Sequence, residues 1–311
     1  MAVTVKEVES FENFGKCVEI SNGIIEALVS IDVGPRVIKF NRVGGVNIMF
    51  TDINRDHHNE GAHYDEFYYK GAQWNIYGGH RLWAAPESAP ETAYPDNNPV
   101  EYKVCENGAV FTPPVQRETG FAMQMELVMS ENTPEMMVHH KITNVSGKEK
   151  EFAVWALSVL AAGGTEIIPQ NTHDTGLLPN RTVAMWPYCD FADERLYLGH
   201  DYVTLRQDKH FGAFKMGFDA AKGLGYYVIG DTIFKKKYSP NHPNGNYADY
   251  GCSFETYTNE LFLELETLGE LLKVPQGETL VHTEEWSLFK NSGDFNAKSD
   301  VSIGEFLSKV K

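Results

Sequence analysis

The sequence has few basic residues for its size. Its 27 Lys and Arg residues stand against 43 Asp and Glu residues, so the formal net charge at pH 7 is -16. A surface with this charge repels phosphate backbones and anionic lipid headgroups within a Debye length of about 10 Å. The composition therefore argues against nucleic acid and membranes as partners.

Cysteine is scarce and widely spaced, and long apolar runs are missing. The four cysteines form no CxxC pair or other short zinc spacing, so we expect reduced core thiols: Cys17, Cys105, Cys189 and Cys252. The first residues, MAVTVKEVESFENFGK, carry acids where a secretory signal peptide needs an apolar run, and no apolar segment is long enough to cross a bilayer. These features predict a cytoplasmic protein.

Several motifs that carry chemistry are also missing. The sequence has no GxSxG elbow, no P-loop and no HExxH helix, which disfavours nucleotide-driven chemistry, and we predict no cofactor. The densest group of potential metal ligands includes His57, His58 and His63. Its spacing matches no metal signature, so it is interpreted as an ordinary polar loop and no metal is predicted.

The residues that are present favour an all-β protein. The chain contains 15 Tyr, 18 Phe and 5 Trp, and β-rich runs alternate with turn dipeptides such as Asn22-Gly23 and Gly34-Pro35. Stripes of apolar residues at helical spacing are missing except near the C-terminus, where DVSIGEFLSKVK predicts one peripheral helix with Asp300 as its N-cap. Large antiparallel sheets are the predicted architecture.

No linker, repeat or composition break divides the chain, so residues 1–311 are predicted to form a single domain. Two long segments, 51–100 and 163–200, do not read as regular structure. Long irregular segments in a compact domain usually carry function. Site residues are therefore expected in and around these two segments.

The first candidate is the stretch GGHRLWAAPE, residues 78–87, interpreted as a loop. It combines His80, Arg81, Trp83 and Glu87. Aromatic faces stack on the apolar faces of sugar rings, and Arg and carboxylate groups bind hydroxyls. This combination is typical of a carbohydrate site, and the alternative is a surface turn with an anchoring Trp and a solvated Arg.

The second candidate is MWPYCDFADERLYLG, residues 185–199, a Pro-containing loop. Trp186, Asp190 and Arg195 are its candidate ligand-binding residues. The Asp and the Arg could both reach a polar ligand, or they could pair with each other. The sequence leaves these alternatives open.

The third candidate is FLELETLGEL, residues 262–271, which carries two carboxylates two positions apart. Residues two apart on a strand point the same way, so Glu264 and Glu266 share one face while Leu263 and Leu265 share the other. The pair either lies in solvent on a half-exposed strand or lines a polar cleft.

Four stretches resemble the galactose mutarotase-like (aldose 1-epimerase) superfamily: NGIIEALVSIDVGPRVIKF, GGHRLWAAPE, ITNVSGKEKEFAVWALSVL and LFLELETLGELLKVPQGETLVHTEEWSLF. The resemblance implies a β-supersandwich whose concave face binds a saccharide. In that superfamily a His donates a proton to the ring oxygen, and a Glu in a strand of the LET type accepts one from the anomeric hydroxyl. Glu266 matches this base, and Glu264 would tune its proton affinity.

The sequence departs from the pattern at the acid. Ser158 stands where the resemblance places the His, and a serine hydroxyl is a far weaker acid than imidazolium. His80 and His173 are the candidate replacements, His80 being the leading one. The resemblance thus implies a mutarotase-type isomerase of carbohydrate metabolism that acts on a small saccharide.

Two alternatives remain open at this point. A saccharide-binding protein that has lost the acid would keep the cleft without catalysis. A hydrolase or lyase that acts on an oligosaccharide or a uronate would use Arg81 and Arg195 to hold the acidic sugar. The sequence predicts neither the identity of the sugar nor the oligomeric state.

Overall fold

The computed structural model of the chain describes residues 2–239, 245–291 and 293–310. In these ranges the chain forms 23 strands and three short helices, and all the strand pairs are antiparallel. The prediction of an all-β protein built from large antiparallel sheets, with a helix near the C-terminus, is confirmed. None of the described helices is long and apolar enough to cross a membrane.

The first sheet contains eleven strands. In spatial order they are β1 (Thr4–Val8), β2 (Cys17–Ser21), β3 (Ile25–Ser30), β4 (Arg36–Arg42), β7 (Gly79–Ala85), β12 (Lys150–Ala161), β21 (Phe262–Leu268), β20 (Phe254–Thr258), β17 (Phe214–Phe218) and β14 (Val183–Met185), with β22 (Leu272–Val274) paired to β12 outside this path.

The second sheet contains ten strands. In spatial order they are β15 (Leu196–Leu198), β16 (Tyr202–Arg206), β13 (Thr165–Pro169), β18 (Leu224–Ile229), β19 (Thr232–Tyr238), β23 (Thr279–Lys290), β11 (Glu135–Asn144), β10 (Phe121–Met129), β9 (Gly108–Thr112) and β8 (Glu101–Cys105). The remaining elements are a two-stranded ribbon and three helices: β5 (His58–Asn59), β6 (Trp74–Asn75), α1 (Ala62–Phe67), α2 (Ala248–Gly251) and α3 (Asp300–Leu307).

The two sheets share one hydrophobic core, to which the faces of their strands contribute unequally. In β10 the side chains alternate strictly between buried and half-buried, as expected when only one face packs against the core. Every residue of β21 is buried, so both faces of that strand are covered. One face of β21 meets the second sheet, and the other face lies under a cleft formed by the neighbouring loops and strands.

The segment 51–100 is more regular than the sequence suggested. It contains helix α1, the ribbon β5–β6 and strand β7, and β7 occupies most of residues 78–87, which the sequence predicts to be a loop. Segment 163–200 likewise contains β13, β14 and β15. This difference matters because consecutive residues of a strand point to opposite faces.

Helix α3 begins one residue earlier than its sequence signal indicates. The hydroxyl of Ser299 accepts a hydrogen bond from the Ser302 backbone N–H, so Ser299 is the N-cap rather than Asp300. The Asp300 carboxylate instead accepts hydrogen bonds from backbone N–H groups of residues 200–202. Ile303 and Phe306 fix the helix to the outer face of the second sheet.

Candidate active site

A cleft with a solvent-available volume of about 370 Å³ lies on the face of the first sheet that points away from the second sheet. Four tryptophans line it: Trp74, Trp83, Trp155 and Trp186. Its charged lining side chains are Arg81, Glu87, Lys215 and Glu264. A concave site with aromatic walls and a few polar groups is the usual form of a small-molecule site.

Strand register brings the polar groups of the cleft together. In the centre of the sheet, Glu264 lies opposite Val159 of β12 and Tyr257 of β20. Two residues along, Glu266 lies opposite Leu157 and Glu255. The two acids of β21 therefore share the cleft face. They do not lie in solvent on a half-exposed strand, because Glu264 is 7% exposed and Glu266 0%.

Glu264 pairs with Arg81 across the cleft wall. The Arg81 Nη2 group donates to Oε1 of Glu264 at 3.1 Å, and the guanidinium carbon lies 4.3 Å from the Trp83 ring centroid. Within the described residues, the Arg81 Nε and Nη1 groups have no hydrogen-bond partner. The guanidinium is thus held by one carboxylate and an indole face, with two donors left over.

Glu266 lies one layer below the cleft surface. Its Oε2 accepts a hydrogen bond of 2.9 Å from the Trp155 indole N–H and lies 3.4 Å from the Lys215 ammonium, whereas no described residue hydrogen-bonds its Oε1. Burial raises the pKa of Glu266 to about 7 despite the opposing effect of Lys215, and Glu264 raises it further. Glu266 is therefore able to gain or lose a proton near neutral pH.

Lys215 sits between two carboxyl groups and two indoles. Its ammonium lies 2.8 Å from Oε2 of Glu255 and 4.7 Å from the ring centroids of both Trp155 and Trp186. Burial alone would lower the pKa of Lys215, but the Glu266 and Glu255 carboxyls outweigh it, so the pKa is raised. Burial also raises the pKa of Glu255 well above its usual range. The raised pKa keeps the Lys215 side chain charged at neutral pH.

His80 and Ser158 face away from the cleft, into the space between the sheets. His80 is 0% exposed, and its two ring nitrogens contact Ser158 Oγ at 2.8 Å and His140 Nε2 at 2.7 Å. The ring cannot reach a ligand in the cleft, because Arg81, the next residue on β7, takes the cleft face. His173 is exposed and lies outside the cleft lining.

The hydrogen bonds around His80 have a single consistent direction. The His140 Nδ1–H donates to the His282 carbonyl at 3.1 Å, which leaves Nε2 of the neutral ring as an acceptor for the His80 Nε2–H. The His80 Nδ1 then accepts from Ser158, whose Oγ in turn accepts from the Lys236 ammonium at 2.8 Å. Burial lowers the pKa of His80 well below its usual range, which keeps its ring neutral.

The same interior network contains the one set of potential metal ligands found among the described residues. His80, His140 and Glu284 place their ligand atoms within 4.8 Å of one another. The Glu284 carboxylate is already occupied: Oε1 accepts from Thr267 at 2.6 Å and lies 2.9 Å from the Lys236 ammonium, and Oε2 accepts from the Trp286 indole. A fully buried ammonium beside the carboxylate fits a metal-free polar core better than a metal centre.

The chain matches no protein family model and no curated protein by sequence, but solved structures share its fold. A candidate aldose 1-epimerase from Klebsiella pneumoniae superposes with a TM-score of 0.59 at 11% identity, covering 99% of this chain and 86% of that one. A galactose mutarotase-like protein from Lactobacillus casei superposes with a TM-score of 0.55 at 11% identity, covering 88% and 100%. The chain has the galactose mutarotase-like fold.

A third structure supports the same conclusion. A candidate aldose 1-epimerase from Escherichia coli K12 gives a TM-score of 0.55 at 9% identity, covering 93% of this chain and 99% of that one. The resemblance inferred from the sequence is therefore confirmed for the fold. At these identities the mutarotase-like fold does not transfer residue roles.

The mutarotase-like fold brings most of the predicted site residues together. Arg81, Trp83, Glu87, Trp186 and Glu264 line the cleft, and Glu266 lies directly beneath it.

Asp190 and Arg195 lie apart from this group. Arg195 makes a two-pronged contact with the Asp193 carboxylate at 2.8 and 3.1 Å, and neither Asp190 nor Arg195 is part of the cleft lining. Arg195 pairs within its own loop, with Asp193 rather than Asp190.

Sequence reasoning missed Lys215, Glu255 and Trp155. The sequence does indicate that both charged residues lie on strands: Lys215 is in one β-rich run, and Glu255 is in another, two residues before Tyr257. Neither run shows which strands are neighbours. The β17–β20–β21–β12 order that joins these residues comes from pairings between distant parts of the chain.

Proposed function

We propose that the cleft binds a saccharide and that the chain acts on it as an enzyme of the aldose 1-epimerase type. The observation that supports this proposal most strongly is the placement of four of the five tryptophans around the cleft, above a carboxyl group with a pKa of about 7. Indole faces suit the apolar faces of a sugar ring. A group that exchanges a proton near neutral pH suits acid and base chemistry on its hydroxyls.

In this proposal Glu266 is the general base. It takes the proton of the anomeric hydroxyl, so that the ring opens and recloses with either configuration at that carbon. Its Oε1 is the acceptor available for this step, since Oε2 is occupied by Trp155 and Lys215. Glu264 keeps Arg81 in place and raises the proton affinity of Glu266.

The polar groups of the cleft favour an uncharged sugar. Arg81 is already paired with Glu264, and the Lys215 ammonium lies between Glu255 and Glu266. Arg195 pairs with Asp193 outside the cleft. The alternative of a uronate held by Arg81 and Arg195 therefore has less support than a neutral aldose.

A second candidate function is saccharide binding without catalysis. It is favoured by the position of Ser158 and His80, whose side chains lie between the sheets, so that neither supplies an acid to the cleft. Such a protein would bind a sugar through the same tryptophans. The two functions differ in turnover and not in affinity.

The test compares the wild type with Glu266→Gln on a panel of neutral aldoses. Anomer interconversion is followed by polarimetry and by exchange NMR, and sugar binding by calorimetry. We expect the wild type to accelerate interconversion of at least one aldose and Glu266→Gln to lose about 100-fold or more in kcat. Glu126→Gln, a half-buried acid on the second sheet paired with Lys141, is the matched control and should keep full activity.

The outcomes separate the candidates. Binding without acceleration by the wild type would favour the non-catalytic function, and full activity in Glu266→Gln would remove Glu266 as the base. We also propose a cytoplasmic location, because all four cysteines are free. The charge of -16 leads us to expect neither nucleic acid nor a membrane surface as a partner.

A further inference from the structure

Proton transfer in the cleft needs a donor as well as a base, and neither His80 nor His173 lines the cleft. Of the charged groups that line the cleft within the described residues, only Arg81 and Lys215 carry N–H donors. The Arg81 guanidinium does not give up a proton in proteins. Lys215 is the remaining cationic donor that borders the cleft.

Lys215 is also the donor that is physically linked to the base. Its ammonium lies 3.4 Å from Oε2 of Glu266 and 2.8 Å from Oε2 of Glu255, while 8% of its side chain remains exposed in the cleft. The indoles of Trp155 and Trp186 flank it at equal centroid distances of 4.7 Å. The amine is thereby held at one place at the cleft surface and is not a free surface lysine.

We propose that Lys215 is the catalytic proton donor to the ring oxygen of the sugar, a role that rests on the proposed epimerase function. In this proposal the Lys215 ammonium contacts the ring oxygen of the sugar, and Glu266 takes the proton of the anomeric hydroxyl. Glu255 holds the ammonium in place from the other side.

The step balances without a co-reactant. Glu266 accepts the proton of the anomeric hydroxyl, whose O–H electron pair forms the C=O bond of the open-chain aldehyde. The bond from the anomeric carbon to the ring oxygen breaks, and its electron pair takes a proton from Lys215. Ring closure on either face of the aldehyde reverses both transfers and restores the charged lysine and the carboxylate.

Proton transfer to Glu266 favours proton transfer from Lys215, because the two groups are electrostatically coupled. The negative charge of Glu266 is the largest influence that holds the proton on Lys215 against burial. When Glu266 accepts a proton, this charge disappears, and the ammonium is left with a desolvation cost that favours its neutral form. Protonation of Glu266 thus lowers the pKa of Lys215, which makes the ammonium a better proton donor to the ring oxygen.

The test measures kcat and KM for anomer interconversion by exchange NMR in a set of Lys215 variants. Lys215→Met removes the donor. If this variant fails to fold because the Glu255 carboxyl loses its partner, the double variant Lys215→Met/Glu255→Gln removes that carboxyl as well. Lys215→Arg keeps the charge but not a transferable proton. We expect each variant to lose about 100-fold or more in kcat, with KM changed by less than about threefold.

Chemical rescue separates proton donation from simple charge. In Lys215→Ala, we expect methylammonium chloride to restore activity and tetramethylammonium chloride, which has no N–H, to leave it low. The control is Lys237→Met, an exposed lysine on the second sheet that should keep full activity.

Each result decides the proposal. A kcat within threefold of the wild type in Lys215→Met or Lys215→Arg overturns the donor role while the epimerase function stands. Equal rescue by tetramethylammonium also overturns it, in favour of a purely electrostatic role. A wild type that accelerates no aldose removes the proposed function and the donor role together.

Discussion

The indole N–H of Trp155 donates a hydrogen bond of 2.9 Å to Oε2 of Glu266, so an aromatic wall residue of the cleft is bonded to the buried carboxyl beneath it. This bond favours the ionised form of Glu266 and lowers its pKa, against the larger effect of burial. The proton affinity of the proposed base is therefore set in part by a residue that would also contact the sugar.

The first prediction concerns the pH dependence of Trp155→Phe. The base works when ionised, so the activity of the wild type should fall as the pH drops through about 7, the pKa of Glu266. Loss of the indole donor raises that pKa, and the acidic limb of kcat/KM should move up by about one pH unit. Trp83→Phe serves as control and should leave the limb in place. An unmoved limb in Trp155→Phe would contradict the role of Glu266.

The second prediction concerns the Arg81–Glu264 pair. Arg81→Met leaves the Glu264 carboxylate buried without its cation, which should lower the free energy of unfolding by about 3 kcal/mol. The double variant Arg81→Met/Glu264→Gln should recover most of this loss, because no uncompensated charge remains. Urea unfolding measures both values. Equal stabilities for the single and double variants would show that the pair is not coupled.

The third prediction concerns the interior histidines. Burial lowers the pKa of His140 to about 4 and of His282 to about 3, whereas an unfolded chain has the usual value of about 6.5. Below pH 6.5 the unfolded state binds the extra protons, so each ring contributes stability at neutral pH that is lost as the pH falls towards its folded pKa. Glu166, Glu255 and Glu266 have raised pKa values and act in the opposite direction.

A difference measurement isolates the histidine contribution. Between pH 6.5 and about 4, the free energy of unfolding of the wild type should fall more steeply than that of His282→Gln, by up to one bound proton. Chemical denaturation at a series of pH values gives both slopes. Parallel slopes for His282→Gln would mean that His282 is charged in the folded state.

The fourth prediction concerns sugar stacking. Trp186→Ala removes one indole wall and should weaken binding of the preferred sugar about tenfold in calorimetry. Phe191→Ala, an exposed aromatic in the same loop outside the cleft lining, should leave the affinity unchanged. If both variants bind like the wild type, the sugar does not contact this wall.

The sequence predicts the sheets well and the site in part, for reasons that particular residues make clear. Period-two alternation places Glu264 and Glu266 on one face and His139 and His140 on opposite faces, and the structure agrees on both points. The interpretation of residues 78–87 as a loop grouped His80 with Arg81 as ligand contacts. Once β7 is a strand, the same alternation separates them.

The rest of the site depends on contacts between distant parts of the chain. Lys215 and Glu255 meet Glu266 only because β17, β20 and β21 are neighbours in the sheet. Periodicity within a strand gives the face of a residue but not its partner on the next strand.

Strands β7, β12 and β21 carry polar residues on both faces, and this makes their alignment unusually intolerant of insertion. A shift of β7 by one residue would turn His80 towards the cleft and drive the Arg81 guanidinium into the space beside Lys236. The interior hydrogen bonds and the cleft contacts would be lost together, because they are made by alternate side chains of the same three strands. Single-residue insertions or deletions in these strands should therefore abolish folding and ligand binding together. The interior hydrogen bonds fix the strand register that aligns the side chains of the cleft.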